Sequence, residues 1–437
     1  MSGSAGLSVI RHTIGITSTG GSTLALPKNF STTNPNIRGC LYSHYDGGNG
    51  NDILGLRPWM DIGYRLPVLG LDYGGAAMLA GTATATSSTT LTNTGASWTP
   101  GALVGMSVVA GASGANIALI TANTSTVLTI SPNTWPNGTP GSTAPYFIAP
   151  NISPWANPQQ MGDMDSGYTY LNSTLGAARG GKINILGFSM GGCNSLVYAA
   201  HNRSKVNAVL IGSPALSLYS GMYAPAVNLG GQVNDAYAVT KTNDAHGHVV
   251  PTWMTSTSDP TWGTSGGFGT TVASNRDPYW MAANGYASAF AGLPIVIVQG
   301  GVKLTCSLTA ATFSSGTATA TLTGAGITTS NVTVGMWLTW QGMSNQLTGQ
   351  VTAVSAGSAT VTLTAYDGTA STSAQTSAPF WLSNDGTTWP IWAEQFAANV
   401  NAVAGGNVQM IYDNLGGHGL YSDAAVAQAL TTWMPYA

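Results

Sequence analysis

The chain has 437 residues, of which 6% are charged, against about 25% in an average soluble protein. Its net charge of −3 gives no long-range attraction for nucleic acid or anionic lipid, and no cluster of Lys and Arg supplies the footprint of a nucleic-acid binder. Cys40, Cys193 and Cys306 are too few and too scattered for a disulfide framework, no C-x-x-C pair exists to seat a zinc ion, and no apolar run approaches the roughly 18 residues of a membrane span.

The length predicts more than one domain. The opening M-S-G-S-A-G-L-S-V-I-R-H lacks the charged start and apolar run of a secretory signal. V-I-R-H-T-I-G-I and S-T-L-A-L-P predict two opening strands. I-R-G-C-L-Y-S (37–43) predicts a buried strand that ends in H-Y-D-G-G-N-G, and R-L-P-V-L-G-L-D (65–72) predicts another, followed by Y-G-G. Residues 80–149 then change texture: Thr, Ser, Gly and Val alternate with period two and no helical pattern is present. Beyond them K-I-N-I-L-G (182–187), V-N-A-V-L-I-G (206–212) and L-P-I-V-I-V-Q-G (293–300) return to short, continuously apolar runs. A second Thr-rich segment covers 303–381, and N-V-Q-M-I-Y-D (407–413) predicts the last strand. Near-continuous apolar strands separated by helices predict an α/β class with a mostly parallel sheet covered on both faces.

The two Thr-rich segments share an order of blocks. S-S-T-T-L-T-N-T-G-A-S-W, L-V-G-M-S-V-V and I-T-A-N-T-S-T-V-L-T-I-S in the first answer T-A-T-A-T-L-T-G-A-G-I, T-V-G-M-W-L-T-W and V-T-A-V-S-A-G-S-A-T-V-T-L-T in the second. The V-G-M core recurs at Val104–Met106 and Val334–Met336. We read two copies of one small all-β insertion domain, each set into a loop of the α/β core. The predicted division is core 1–79, β module 80–149, core 150–302 with a cap segment 216–290, β module 303–381, and core 382–437. By composition the modules resemble β repeats of phage tail and fibre proteins.

L-G-F-S-M-G-G (186–192) lies between an apolar strand and the helix-like C-N-S-L-V-Y-A-A. In that context G-x-S-x-G predicts a strained turn that projects Ser189 at the carboxyl edge of the sheet, with small neighbours two positions either side. The amide of Met190 then faces the same space and can stabilise an oxyanion. A serine hydroxyl needs a base. Of six histidines only His418 stands in a Gly-rich loop after the last strand, D-N-L-G-G-H-G-L, before a closing helix. The base needs a carboxylate, expected between Ser189 and His418 in the chain. With the second β module excised, P-I-V-I-V-Q-G-G runs into S-N-D-G-T-T-W-P, so Asp385 is the predicted acid. Asp413 is the runner-up but is better placed to cap a turn, and Asp367 reads as a turn residue inside the module. Cys193 reads as packing and Asp72 as a turn anchor. D-A-H-G-H (244–248) lacks a third metal ligand.

With these residues in place, the chain resembles the α/β-hydrolase family over roughly 8–79, 150–302 and 382–437. M-D-I-G-Y-R-L-P-V-L-G-L-D-Y-G-G (60–75), S-P-A (213–215) and R-D-P-Y-W (276–280) are similar to segments of that family. His44 and its successors look like the family's "H-G" oxyanion loop, with Tyr45 where glycine is usual, which leaves the second oxyanion donor open between the amides of Tyr45 and Asp46. The resemblance implies an α/β-hydrolase fold and a serine esterase that uses Ser189, His418 and Asp385 and needs no cofactor or metal. Two β modules beside the site and the absence of an export signal point to a phage tail-associated esterase, located in the virion or outside the cell. Its expected partners are ester-bearing cell-envelope polymer or lipid, other tail proteins and further copies of itself. A secreted bacterial esterase or depolymerase is the alternative setting. A structural tail protein on a hydrolase-like scaffold is the alternative class.

Overall fold

The computed structural model describes residues 7–12, 22–28, 30–31, 37–45, 50–56, 59–71, 79–101, 103, 107–111, 116–131, 135, 138–149, 158–216, 278–314, 316–341, 347–365, 371–385, 388, 390–414, 416–419 and 421–437. The core is an eight-stranded sheet of β1 (Leu7–His12), β2 (Ser22–Pro27), β3 (Cys40–Ser43), β4 (Val68–Leu71), β5 (Ile183–Phe188), β6 (Val206–Gly212), β7 (Ile295–Gly300) and β8 (Val408–Asp413). Their order is β1-β2-β4-β3-β5-β6-β7-β8. β2 runs antiparallel to both its neighbours, and every other pairing is parallel.

The central strands are nearly continuous apolar runs, broken only by Asn184, Asn207 and Gln299, because helices cover both sides of them. Alternate residues feed two separate cores. Ile183, Ile185, Val209, Ile211, Ile295 and Ile297 pack with Cys193, Leu196 and Val197 of α2 (Met190–His201) and with Phe396 and Val400 of α3 (Pro390–Asn401). α1 (Pro158–Thr169) adds Met164 to the same layer. Leu186, Phe188, Leu210, Val296 and Val298 face the other way, toward Trp59, Ile62 and the Val426, Ala429 and Trp433 stripe of α4 (Asp423–Trp433).

The two Thr-rich segments form separate β units, each with its own buried cluster. The second is a closed barrel in the order Val302–Leu308, Thr317–Thr323, Ser358–Ala365, Leu347–Ser355, Trp337–Trp340 and Gln375–Ser383. Its hydrogen-bonded strands reach Val302 and Ser383, slightly wider than the 303–381 drawn from composition, because the pairing continues down to the core. The first is a curled sheet in the order Leu79–Thr82, Pro145–Ala149, Ser107–Ala110, Asn116–Asn123, Val127–Ser131, Thr90–Thr92 and Ala85–Thr86. Its two edge pieces are one segment, bent where the Ala83 and Thr84 amides donate to Ala144 O and Thr92 O at 2.9 and 2.7 Å. The sheet therefore closes on itself as the second does.

The two units match in register as well as in order. Tyr146 pairs with Ala110 and Ile148 with Leu79 and Val108; Phe380 pairs with Trp340 and Leu382 with Val302 and Leu338. Leu128 pairs with Asn123 and Thr129 with Ala122, before a shift that brings Ile130 opposite Ile120. Ala359 pairs with Val354 and Thr360 with Ala353, before a shift at the same place brings Val361 opposite Val351. Residues 104–106 lie outside the described residues. In the second copy Gly335 (φ 95°) donates its amide to Val351 O at 2.8 Å and Met336 is buried.

The first barrel leaves the core after β4 and the second after β7, each two strands from β5 in the sheet. Residues 72–78 and 150–157, which join the first barrel to the core, lie outside the described residues, as do residues 217–277 of the expected cap.

Candidate active site

Ser189 occupies the one position between β5 and α2, at φ 54° and ψ −117°. Such a conformation costs on the order of 1–3 kcal/mol for a residue with a Cβ and survives only where its surroundings fix it. Here they do. The Ser189 amide donates to Gly212 O at 3.0 Å, and its carbonyl accepts from the amides of Gly192, Cys193 and Ala215 at 3.0, 3.3 and 3.1 Å. The motif's two glycines are required by contact. A Cβ on Gly187 would fall 2.3 Å from Gly191 O, and one on Gly191 only 1.9 Å from Ser43 O and 2.6 Å from His44 O. The start of α2 is thereby pressed against the exit of β3.

Met190 is the first residue of α2, so its amide has no carbonyl one turn back to bond and lies at the positive end of the helix dipole. Across the contact made by Gly191, the exit of β3 carries His44 and Tyr45. His44 is buried and its Nδ1 donates to Tyr45 O at 2.6 Å. The Tyr45 ring meets Phe188 edge-on at 5.5 Å. Asp46 lies outside the described residues.

Asp385 is fully buried at the root of the second barrel. Its Oδ1 accepts from the Thr388 amide at 3.0 Å, and its Oδ2 accepts from Thr388 Oγ1 at 2.5 Å and from His418 Nδ1 at 2.9 Å. Burial alone would raise this carboxyl. The charge and hydrogen bond of His418, with the two bonds from Thr388, outweigh burial and hold it at about 2. With Nδ1–H given to Asp385, the Nε2 of His418 is left as the nitrogen that can take a proton. The imidazole lies against Phe188, the residue that precedes Ser189, with ring centroids 4.8 Å apart and planes tilted by 45°. Gly419 (φ 80°) permits this approach, because a Cβ there would strike Phe188 Cζ at 2.7 Å.

The structure thus joins Asp385 to His418 and sets His418 against the strand that ends at Ser189. Asp413, the runner-up acid, turns instead to its own loop, where Oδ2 accepts the Ser422 amide. Cys193 is buried with its amide on Ser189 O. Asp72, Asp367, His246 and His248 lie outside the described residues. Among the described residues no group of three His, Cys, Asp or Glu is placed to hold a metal.

Three contributors escaped sequence reading. Thr388 supplies two of the bonds on Asp385, and its D-x-x-T spacing is the signal that would have found it. Gln299 donates to Thr388 O and Oγ1 at 3.2 and 3.3 Å. Tyr421, pushed well up by burial, donates to Ser213 Oγ at 2.9 Å and ties the His418 loop to the exit of β6. These three long-range bonds leave no mark in the sequence.

An eight-stranded sheet in the order β1-β2-β4-β3-β5-β6-β7-β8, with only β2 reversed and a strained serine after β5, decides the architecture. The fold is that of the α/β-hydrolases. Residues 168–278, which span β5, Ser189, α2 and β6, match the model of a family described as "Putative esterase". No curated protein matches this chain. Among solved structures, an esterase of Pyrobaculum calidifontis is 12% identical, with a TM-score of 0.31 over 68% of this chain and 66% of its own, just under two thirds. FphF, a fluorophosphonate-binding serine hydrolase of Staphylococcus aureus, is 11% identical with a TM-score of 0.34 over 68% and 80%. Carboxyl esterase 2 of Tuber melanosporum is 11% identical with a TM-score of 0.39 over 100% and 85%.

Proposed function

We propose that this α/β-hydrolase is a serine esterase that hydrolyses carboxylic esters through Ser189, His418 and Asp385. Ser189 Oγ attacks the ester carbonyl while His418 Nε2 takes its proton. Asp385 fixes the imidazole tautomer through Nδ1 and stabilises the imidazolium that forms. The amide of Met190 and one amide at Tyr45 or Asp46 receive the oxyanion. Collapse of the tetrahedral intermediate expels the alcohol, which takes the proton back from Nε2. Water, deprotonated by the same nitrogen, then attacks the acyl-enzyme and releases the acid. The observation that carries this reading is the Asp385–His418 hydrogen bond held against Phe188, immediately before a serine in strained geometry.

Labelling with a fluorophosphonate, followed by mapping of the modified peptide, tests it without the natural substrate. The expected result is label on Ser189, lost in Ser189→Ala and in His418→Ala with folding intact. A folded wild-type protein that takes no label favours the scaffold class instead. For the setting, the charge-poor, hydroxyl-rich composition favours neutral ester groups on cell-envelope polymer or lipid, met by a tail protein of a virion. Cofractionation with tail particles tests that assignment separately.

A further inference from the structure

We propose that the root of the second barrel positions the acid and the base together, and that Ser383 is the positioning residue through which it acts on Asp385. The proposal rests on the hydrolase reading above. The barrel leaves β7 at Gly300 and returns through Asn384 directly into Asp385. Ser383, the last residue of the returning strand, is 1% exposed. Its hydroxyl donates to Gly300 O at 2.6 Å and accepts the Asp385 amide at 2.9 Å. One oxygen therefore clamps the outgoing stem, the returning stem and the backbone of the acid.

The same root reaches the His418 loop. Gly301 (φ 129°) donates its amide to Asp413 O at 2.8 Å, and that carbonyl also accepts from Gly416 at 3.0 Å. Asp413 Oδ2 accepts the Ser422 amide, so both ends of the loop that carries His418 are held by the residue the barrel root touches. No side chain fits at Gly301, where a Cβ would fall 2.5 Å from Leu382 O, nor at Gly300, where one would fall 2.4 Å from Gly416 O. Farther out, Lys303 of the outgoing strand pairs with Glu394 of α3 at 3.0 Å, and Glu394 also accepts from Tyr412 Oη of β8 at 2.9 Å.

The first barrel serves as an internal comparison. Ile148 and Leu382 occupy matching registers, so Ala149 stands where the second barrel has Ser383. Leu79 and Val302 match likewise, so Ala80 stands where it has Lys303. The second copy differs from the first, at these two root positions, by the polar groups that grip the core. An appendage on a passive tether has no need of them.

Ser383→Ala, which installs the first barrel's residue, is compared with wild type on p-nitrophenyl acetate. We expect kcat to fall about tenfold or more with KM within about twofold, because the ground-state pocket is untouched while the acid is freed. The rate of fluorophosphonate labelling falls by the same factor, and the downfield proton resonance of the His418–Asp385 bond shifts or broadens. Ser383→Cys fills the same space with a poor hydrogen-bonding group and replaces the alanine variant if that does not fold. Wild-type kcat and labelling rate in either folded variant, even with a lowered Tm, would overturn the proposal. Failure of wild type itself to label counts against the hydrolase reading, and the proton resonance then decides alone: unchanged in the variant, it overturns the positioning role.

Discussion

Asp385 carries its charge where no water reaches it. The balance is struck locally: His418 and the two donors of Thr388 stabilise the carboxylate by more than burial disfavours it, and the carboxyl is held at about 2. Its folded value lies below the ordinary 3.8, so the folded state binds this proton less tightly than the unfolded chain. The stabilisation is therefore complete above about pH 4 and is lost as pH falls through about 2. The depression corresponds to about 2 kcal/mol. Asp385→Asn removes the titration while keeping the shape. Urea unfolding of both proteins at pH 5 and pH 2 should show the wild-type advantage shrinking by about 2 kcal/mol at the lower pH, and an advantage independent of pH would refute the assignment. At neutral pH the same variant should lose kcat on the order of 10⁴-fold, since an amide in place of the carboxylate favours the wrong imidazole tautomer.

At the scale of elements, the site depends on how closely α2 approaches β3. Gly191 has no room for a methyl group between the helix start and the carbonyls of Ser43 and His44. Both contacts are backbone, so no flexible side chain can yield. Gly191→Ala should move the elbow away from the β3 exit, separate the Met190 amide from that of Tyr45, and abolish labelling of Ser189. Retained labelling at the wild-type rate would show that the β3 exit plays no part in the chemistry. This element pair also marks how far the sequence could be read. The positions of the core strands along the chain and the turn at Ser189 were legible, because apolar runs and G-x-S-x-G are local signals; the seam left by excising a module singled out Asp385, which the structure bonds to His418 while Asp413 accepts from Ser422. The clamps were not. Ser383, Gln299 and Tyr421 act on residues 83, 89 and 208 positions away in the chain, and nothing in the residue types nearby specifies such partners.

At the scale of the whole molecule, two barrels of one register rise from strands that stand two places either side of β5. With strands about 4.8 Å apart, each departs roughly 10 Å from the strand that ends at the nucleophile. The second is bonded to Gly300, Asp385 and Asp413. For the first, the defined feature is the pairing of Leu79 with Ile148, which brings the chain in and out side by side, about 5 Å apart. A short Gly-Ser link in place of 79–149 can therefore close the core without straining β4. The shortened protein should fold, label at Ser189 and hydrolyse p-nitrophenyl acetate at close to the wild-type kcat, because the acid, the base and their clamps all belong to the core and the second barrel. If it does so but no longer releases acyl groups from an insoluble esterified polysaccharide, the first barrel holds substrate. Loss of labelling in a folded shortened protein would mean instead that the first barrel completes the site itself, and the division of labour between the two copies would have to be redrawn.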